Sequence, residues 1–346
     1  MAVRRLSRRD AEGALDNAAR RGSRALGRYL PALAGLAVFV AALLVLRRAL
    51  ADTSLAELVA GFRTVPAPTL LAAVSVGGAS YLVQTLYDLV GLRHVGSALR
   101  WRTIAPHAFC AMAVGHNVGV SALSGGAVRY RAYTALGLSA PRVAAVIACY
   151  PIAYALGAST LLGLTLALAP GTAPGAERLG EPALRLVGVV LCAVPLAWIA
   201  LARRAGRPVS IGRLRLAPPA PPLAAAQVAI GAADVLVTAA MPWLLLSTQA
   251  EIGFAPFLGA YVVAVTLGAA SGVPGGLGVV EGAFVALLPG VPPAALVGAL
   301  LAWRVLYFLV PLALALVTLG AQALAGRARA ARRARRPAQA GDACDR

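Results

Sequence analysis

The sequence predicts an all-α polytopic membrane protein, with about six full spans and two re-entrant helical hairpins in an inverted-topology repeat. Three observations carry this expectation. The 346 residues are 60% hydrophobic with a mean hydropathy of +0.77, and they form several separate apolar runs long enough to cross a hydrocarbon core of roughly 30 Å. The chain has no lysine, and most of its arginines fall in the gaps between these runs and at both ends. Two further apolar stretches are each interrupted by a Gly-Gly pair.

The elements follow in chain order. Residues 1–28 form a basic segment carrying Arg4, Arg5, Arg8, Arg9, Arg20, Arg21, Arg24 and Arg28. The run at 29–46, followed by Ala49-Leu50-Ala51, imitates a secretory signal with its cleavage site. It is long for a signal h-region, and Arg47 and Arg48 separate it from the small residues, so it reads as a first transmembrane helix. Further apolar runs lie at about 67–92, 143–169, 183–202, 221–246 and 294–324, six in all with the first. Residues 325–346 form a second basic tail with Arg327, Arg329, Arg332, Arg333, Arg335 and Arg336. By the positive-inside rule both termini are cytoplasmic, which requires an even number of crossings. The loop holding Arg203, Arg204, Arg207, Arg213 and Arg215 is then cytoplasmic, and the loops with Glu177, Glu181 and Glu251 lie outside.

The two interrupted stretches, at about 104–138 and 254–290, share one form. Each opens on Ala-Pro, runs on, breaks at Gly125-Gly126 or Gly275-Gly276, and continues for about 11 residues, or about 16 Å of helix, half a bilayer. Both read as re-entrant hairpins. With the first entering from the cytoplasm and the second from outside, the transmembrane domain at 29–324 divides into repeats at about 29–169 and 183–324, with Arg131 aligned to Glu281. This is the plan of many secondary transporters, whose broken helices meet near the midplane. Glycine pairs also permit close helix packing, and 104–121 or 254–272 would each be long enough for a full crossing.

Charges inside apolar segments are costly and mark functional candidates; here they are Asp88, Arg129, Arg131, Asp234, Glu281 and Arg304. Arg129 and Arg131 suit an anion such as a lipid phosphate, or else two interfacial arginines that set topology. Glu281 and Arg304 would line the cavity or pair to organise the fold. Asp234, Glu281 and Asp88 are the candidates for a coupling ion.

Composition also excludes functions. The +19 formal charge is spent on topology, so no nucleic-acid partner is expected. A chain without lysine has neither a Walker A lysine nor a Schiff-base amine, which disfavours an ATP-driven pump and a pyridoxal enzyme. Cys110, Cys149, Cys192 and Cys344 stand singly, and His107 and His116 fall on opposite helix faces, so no metal and no cofactor is expected.

Two segments, LSGGAVRYRAYTALGLS from Leu123 to Ser139 and PGGLGVVEGAFVALLPGVPPAALVGALLAWRVLYFLVP from Pro274 to Pro311, resemble the membrane domain of the lysylphosphatidylglycerol synthase/flippase family, and its stand-alone inner-membrane members in particular. The resemblance covers about 29–324. It implies a multi-pass bacterial inner (plasma) membrane protein that moves a phospholipid, with Gly125, Gly126, Arg129, Pro274, Gly275, Gly276, Gly278 and Glu281 carried over to the lipid path. The bifunctional members continue into a cytosolic aminoacyl-transferase domain, whereas this sequence runs into an arginine-rich tail, so an enzyme is not expected. The alternatives are a non-transporting membrane partner of a lipid-modifying enzyme and a membrane-embedded lipid aminoacyltransferase.

Overall fold

A computed structural model describes residues 65–117, 121–172, 179–203, 209–211, 214–216 and 218–334. The expected span at 29–46 and both basic ends beyond these limits lie outside the described residues. The described residues are almost wholly helical. Its long helices are α1 (Ala67–His94), α2 (Trp101–Asn117), α3 (Ser121–Ala135), α4 (Ala140–Leu168), α5 (Glu181–Ala202), α6 (Pro221–Leu246), α7 (Phe254–Ser271), α8 (Val279–Leu287), α9 (Pro293–Trp303) and α10 (Val310–Ala334). Prolines stand in the first turns of α1, α4, α5, α6 and α9, where their missing N–H costs nothing.

Six helices among the described residues are long and apolar enough to cross a membrane. Five coincide with expected spans, and α10 carries its helix to Ala334, well into the expected tail. The sixth is α7, which the sequence assigned to a hairpin arm; its 18 residues suffice for a crossing. A two-stranded antiparallel ribbon, β1 (Val209–Ile211) with β2 (Leu214–Leu216), fills part of the arginine-rich loop and was not expected.

The helices pack through small residues, as membrane helices do where apolar burial gives no drive. At the α4–α6 crossing a Cβ on Gly157 would fall 2.0 Å from the carbonyl carbon of Gly231, so only two glycines allow this approach. By contrast α5 turns Leu186, Val187, Val190 and Leu196 outward, an apolar face suited to lipid. The core lies where α1, α6, α7 and α9 meet, around Tyr261, Phe257, Phe284 and Trp303.

The two interrupted stretches differ from each other. In the first, α2 and α3 pack side by side, and Gly125 and Gly126 lie inside α3 rather than at a break. The reason is steric: a Cβ on Gly125 would sit 2.5 Å from the Ala111 carbonyl oxygen of α2, so the glycine brings the two arms together. In the second, helix ends at the glycines. Gly272, Gly275, Gly276 and Gly278 all have positive φ between α7 and α8, a path that residues with a Cβ rarely take.

One irregularity stands in the last helix. Residues Arg304–Leu309, between α9 and α10, form a π-helical segment. The wide turn leaves the Tyr307 carbonyl to accept from Tyr81 Oη at 3.0 Å, and the Phe308 carbonyl to accept from Asn117 Nδ2 at 3.0 Å.

Candidate functional site

The glycine turn of the second pair faces the end of the first. A Cβ on Gly275 would lie 3.6 Å from the His116 carbonyl oxygen, near the end of α2. Beside this junction is a cavity of about 380 Å³. Gly268, Gly272, Gly275 and Gly276 line one side, and Tyr150, Tyr154, Tyr261, Trp303, Tyr307 and Phe308 form an aromatic wall. The polar lining is Gln84, His116, Arg129, Asp234 and Thr238.

Among the described residues three carboxylates are buried, and they are held in different ways. Asp88, fully buried in α1, accepts from Arg129 Nε at 2.9 Å on each oxygen and from Tyr133 Oη. This bond ties α1 to α3, and Arg129 also lies against Met112 Sδ of α2 at 3.3 Å. Glu281 of α8 accepts from Arg304 Nε and from the Gly278 amide at 2.8 Å. Arg304 Nη1 donates to the Gly275 carbonyl at 2.8 Å, so the guanidinium braces the glycine turn from behind.

Asp234 is bound by neutral groups. Its Oδ1 accepts from Gln84 Nε2 at 3.1 Å, Thr238 Oγ1 at 3.0 Å and Ser80 Oγ at 3.4 Å, and its Oδ2 accepts from Tyr87 Oη at 2.9 Å. Tyr307 Oη closes the group, 3.1 Å from Ser80 Oγ and 2.6 Å from Gln84 Nε2. The cluster joins α1, α6 and the π segment.

Of the residues singled out from sequence, Arg129, Asp234, Gly275 and Gly276 line the cavity. Asp88 stands behind Arg129, and Glu281, Arg304 and Gly278 stand behind the glycine turn, which Pro274 opens. Gly125 and Gly126 are structural elements of α3 and are not in the lining. Arg131 is exposed, so the expected pair of arginines is divided: only Arg129 faces the cavity. The sequence reading missed His116 and the aromatic wall. The signal available for the wall was Tyr150-Pro151-Tyr154 at i and i+4 in an Ala/Leu-rich span, a spacing that puts both rings on one face.

Comparison with known proteins agrees with this architecture. Residues 32–315 match the family model described as the lysylphosphatidylglycerol synthase TM region. An uncharacterized protein of Synechocystis, slr0712, is 30% identical over 294 residues, covering 84% of this chain and 91% of the relative. The inner membrane protein YbhN of Escherichia coli is 32% identical over 254 residues, covering 72% and 78%.

Proposed function

The chain belongs to the lysylphosphatidylglycerol synthase transmembrane-region family, and on that premise we propose that it is a flippase-like transporter moving a phospholipid, or a similar amphiphile with an anionic head group, between leaflets without ATP. The observation that carries the reading is the cavity, which has Arg129 at 3% exposure on one side and bare glycine backbone on another. A guanidinium in a low-dielectric cavity is a strong partner for a phosphate. Nε and Nη2 are committed to Asp88 and Met112, so a head-group oxygen would meet Nη1. Asp88 fixes the guanidinium and offsets its charge.

On this reading α2–α3 and α7–α8 are re-entrant hairpins entering from opposite faces, both termini are cytoplasmic, and the repeats rock about the junction of His116 and Gly275. The glycine turn matters because backbone without side chains lets a head group approach closely. The chain is a transporter rather than an enzyme, so incubation with aminoacyl-tRNA and phosphatidylglycerol is expected to yield no aminoacylated lipid.

The test is a leaflet-resolved assay of fluorescent phosphatidylglycerol in proteoliposomes, read by dithionite quenching. Wild-type protein is expected to expose inner-leaflet probe faster than protein-free vesicles, and Arg131→Ala is expected to match it. Exchange no faster than in protein-free vesicles would sink the reading for this lipid.

A further inference from the structure

Of the three buried carboxylates among the described residues, two have an arginine and one has none. Asp88 is paired with Arg129 and Glu281 with Arg304, whereas among the described residues Asp234 has no basic side chain within ion-pair distance. It is 2% exposed and lies in the middle of a span. An ionised carboxylate there would be a buried charge held only by neutral donors, and burial without a countercharge is what proteins avoid by neutralising the group.

The geometry of Gln84 bears on how. The 2.6 Å between its amide and Tyr307 Oη is short for an N–H···O bond and ordinary for O–H···O. Turning the amide end for end puts Oε1 at that position, where it accepts from the tyrosine. Oε1 then also faces Asp234 Oδ1 at the 3.1 Å now spanned by Nε2. Two acceptors stand in contact there unless a proton lies between them. Oε1 has no hydrogen-bond partner in the present orientation, and after rotation the NH2 takes its place, so the count of bonds does not choose between the orientations; the charge does. The oxygens of Ser80, Thr238 and Asp234 are in hydrogen-bond contact with one another, 2.9 to 3.4 Å apart, so the hydroxyl protons are already engaged within the cluster.

We propose that Asp234 is the proton-binding site of this protein, carrying its proton toward Gln84 in the conformation described. The ionisable groups that interact with it are Tyr81 and Tyr87 from α1, Tyr150 and Tyr154 from α4, Tyr261 from α7 and Tyr307 from the π segment, none of them a cation. Arg129 and His116 share its cavity. Bound and released there, one proton exactly compensates one carboxylate charge. A second clause rests on the transport reading above: an anionic head group entering beside Arg129 finds a neutral Asp234, so proton and lipid bind together, and the carboxylate left when the proton departs repels the head group.

The test reads the proton directly. Infrared spectra of the purified protein in phosphatidylglycerol vesicles at neutral pH are expected to contain a carboxylic-acid carbonyl band that shifts in D2O. That band is expected to be lost in Asp234→Asn and kept in Glu281→Gln. Should Asp234→Asn fail to fold, Thr238→Val removes one donor to the carboxylate at nearly the same volume, and the titration midpoint of the band is expected to rise. Absence of the band, indifference of the band to both Asp234→Asn and Thr238→Val, or a melting temperature that rises with sodium but not with choline chloride, overturns the proposal. A band that behaves as expected in a protein that moves no lipid upholds the proton site and overturns the transport reading instead.

Discussion

Asp88 and Arg129 are joined by a charge-assisted pair in which one guanidinium N–H sits 2.9 Å from both carboxylate oxygens, and the side chains are 0% and 4% exposed. The pair fastens the first interrupted stretch to α1. Removing one partner strands the other. Arg129→Ala is therefore expected to lower stability by about 3–5 kcal/mol, and Asp88→Asn combined with Arg129→Ala by clearly less than the sum of the two single changes. Thermal or urea unfolding in lipid nanodiscs of the four members of this cycle checks it.

Arg131, two positions along the same helix, is exposed and has no carboxylate partner among the described residues. Arg131→Ala is expected to change stability by no more than about 0.5 kcal/mol. A melting shift as large as that of Arg129→Ala would show that the two arginines act as a unit after all.

The neighbouring glycines of α3 are predicted to respond oppositely. A methyl group at 125 meets the Ala111 carbonyl oxygen at 2.5 Å, whereas at 126 the nearest atom is Ile147 Cδ1 at 3.5 Å, ordinary contact. Gly125→Ala is expected to cost about 1–3 kcal/mol. Gly126→Ala should be neutral or stabilising by up to about 1 kcal/mol, since alanine is the better helix former. Paired melting curves separate the two.

In the glycine turn the constraint is on backbone rather than on space. Gly275 has φ of 61° and Gly276 of 60°. Alanine at Gly275 is expected to cost about 1–2 kcal/mol from the left-handed conformation alone. The same change at Gly276 should cost more, because its Cβ would also meet Val280 Cγ2 at 2.8 Å. Hydrogen exchange at the amides of Gly278 and Gly282 gives a local readout, and faster exchange is the expected outcome.

Topology is open to a chemical test. If the interrupted stretches enter from opposite faces, exposed Ser139 and exposed Gly290 lie on opposite sides of the membrane. In a cysteine-free background, a membrane-impermeant maleimide applied to spheroplasts is expected to label Gly290→Cys and to spare Ser139→Cys. Labelling of both, or of Ser139→Cys alone, contradicts the inverted arrangement.

Much of the fold could be read from sequence because a bilayer imposes length and apolarity on every span, and hydropathy measures both. The helices α1, α4, α5 and α6 fall within a few residues of their apolar runs for that reason. The glycine pairs were ambiguous because glycine serves two ends: at 275–276 it supplies backbone conformation, at 125 it supplies proximity, and the one-dimensional pattern is the same. The intramembrane charges were legible as candidates from their cost alone. What sequence did not hold was their partners: Arg129 meets Asp88 across 41 positions and Asp234 meets Gln84 across 150. The separation of Arg129 from Arg131 follows from their spacing of two, which places them well apart around a helix turning about 100° per residue.

The π segment at Arg304–Leu309 amounts to one residue more than an α-helix needs over the same rise. Its consequence is local to the turn. Arg304, which braces the glycine turn, and Tyr307, which reaches the Asp234 cluster, owe their simultaneous fit to that surplus residue. A chain shortened by one position within 304–309 would regain regular winding and keep the helix beyond it in nearly its present phase, but the residues inside the segment would be turned relative to one another, and Arg304 and Tyr307 would no longer meet both partners. Length in this one turn is thus under tighter constraint than side-chain identity across most of the lipid-facing surface.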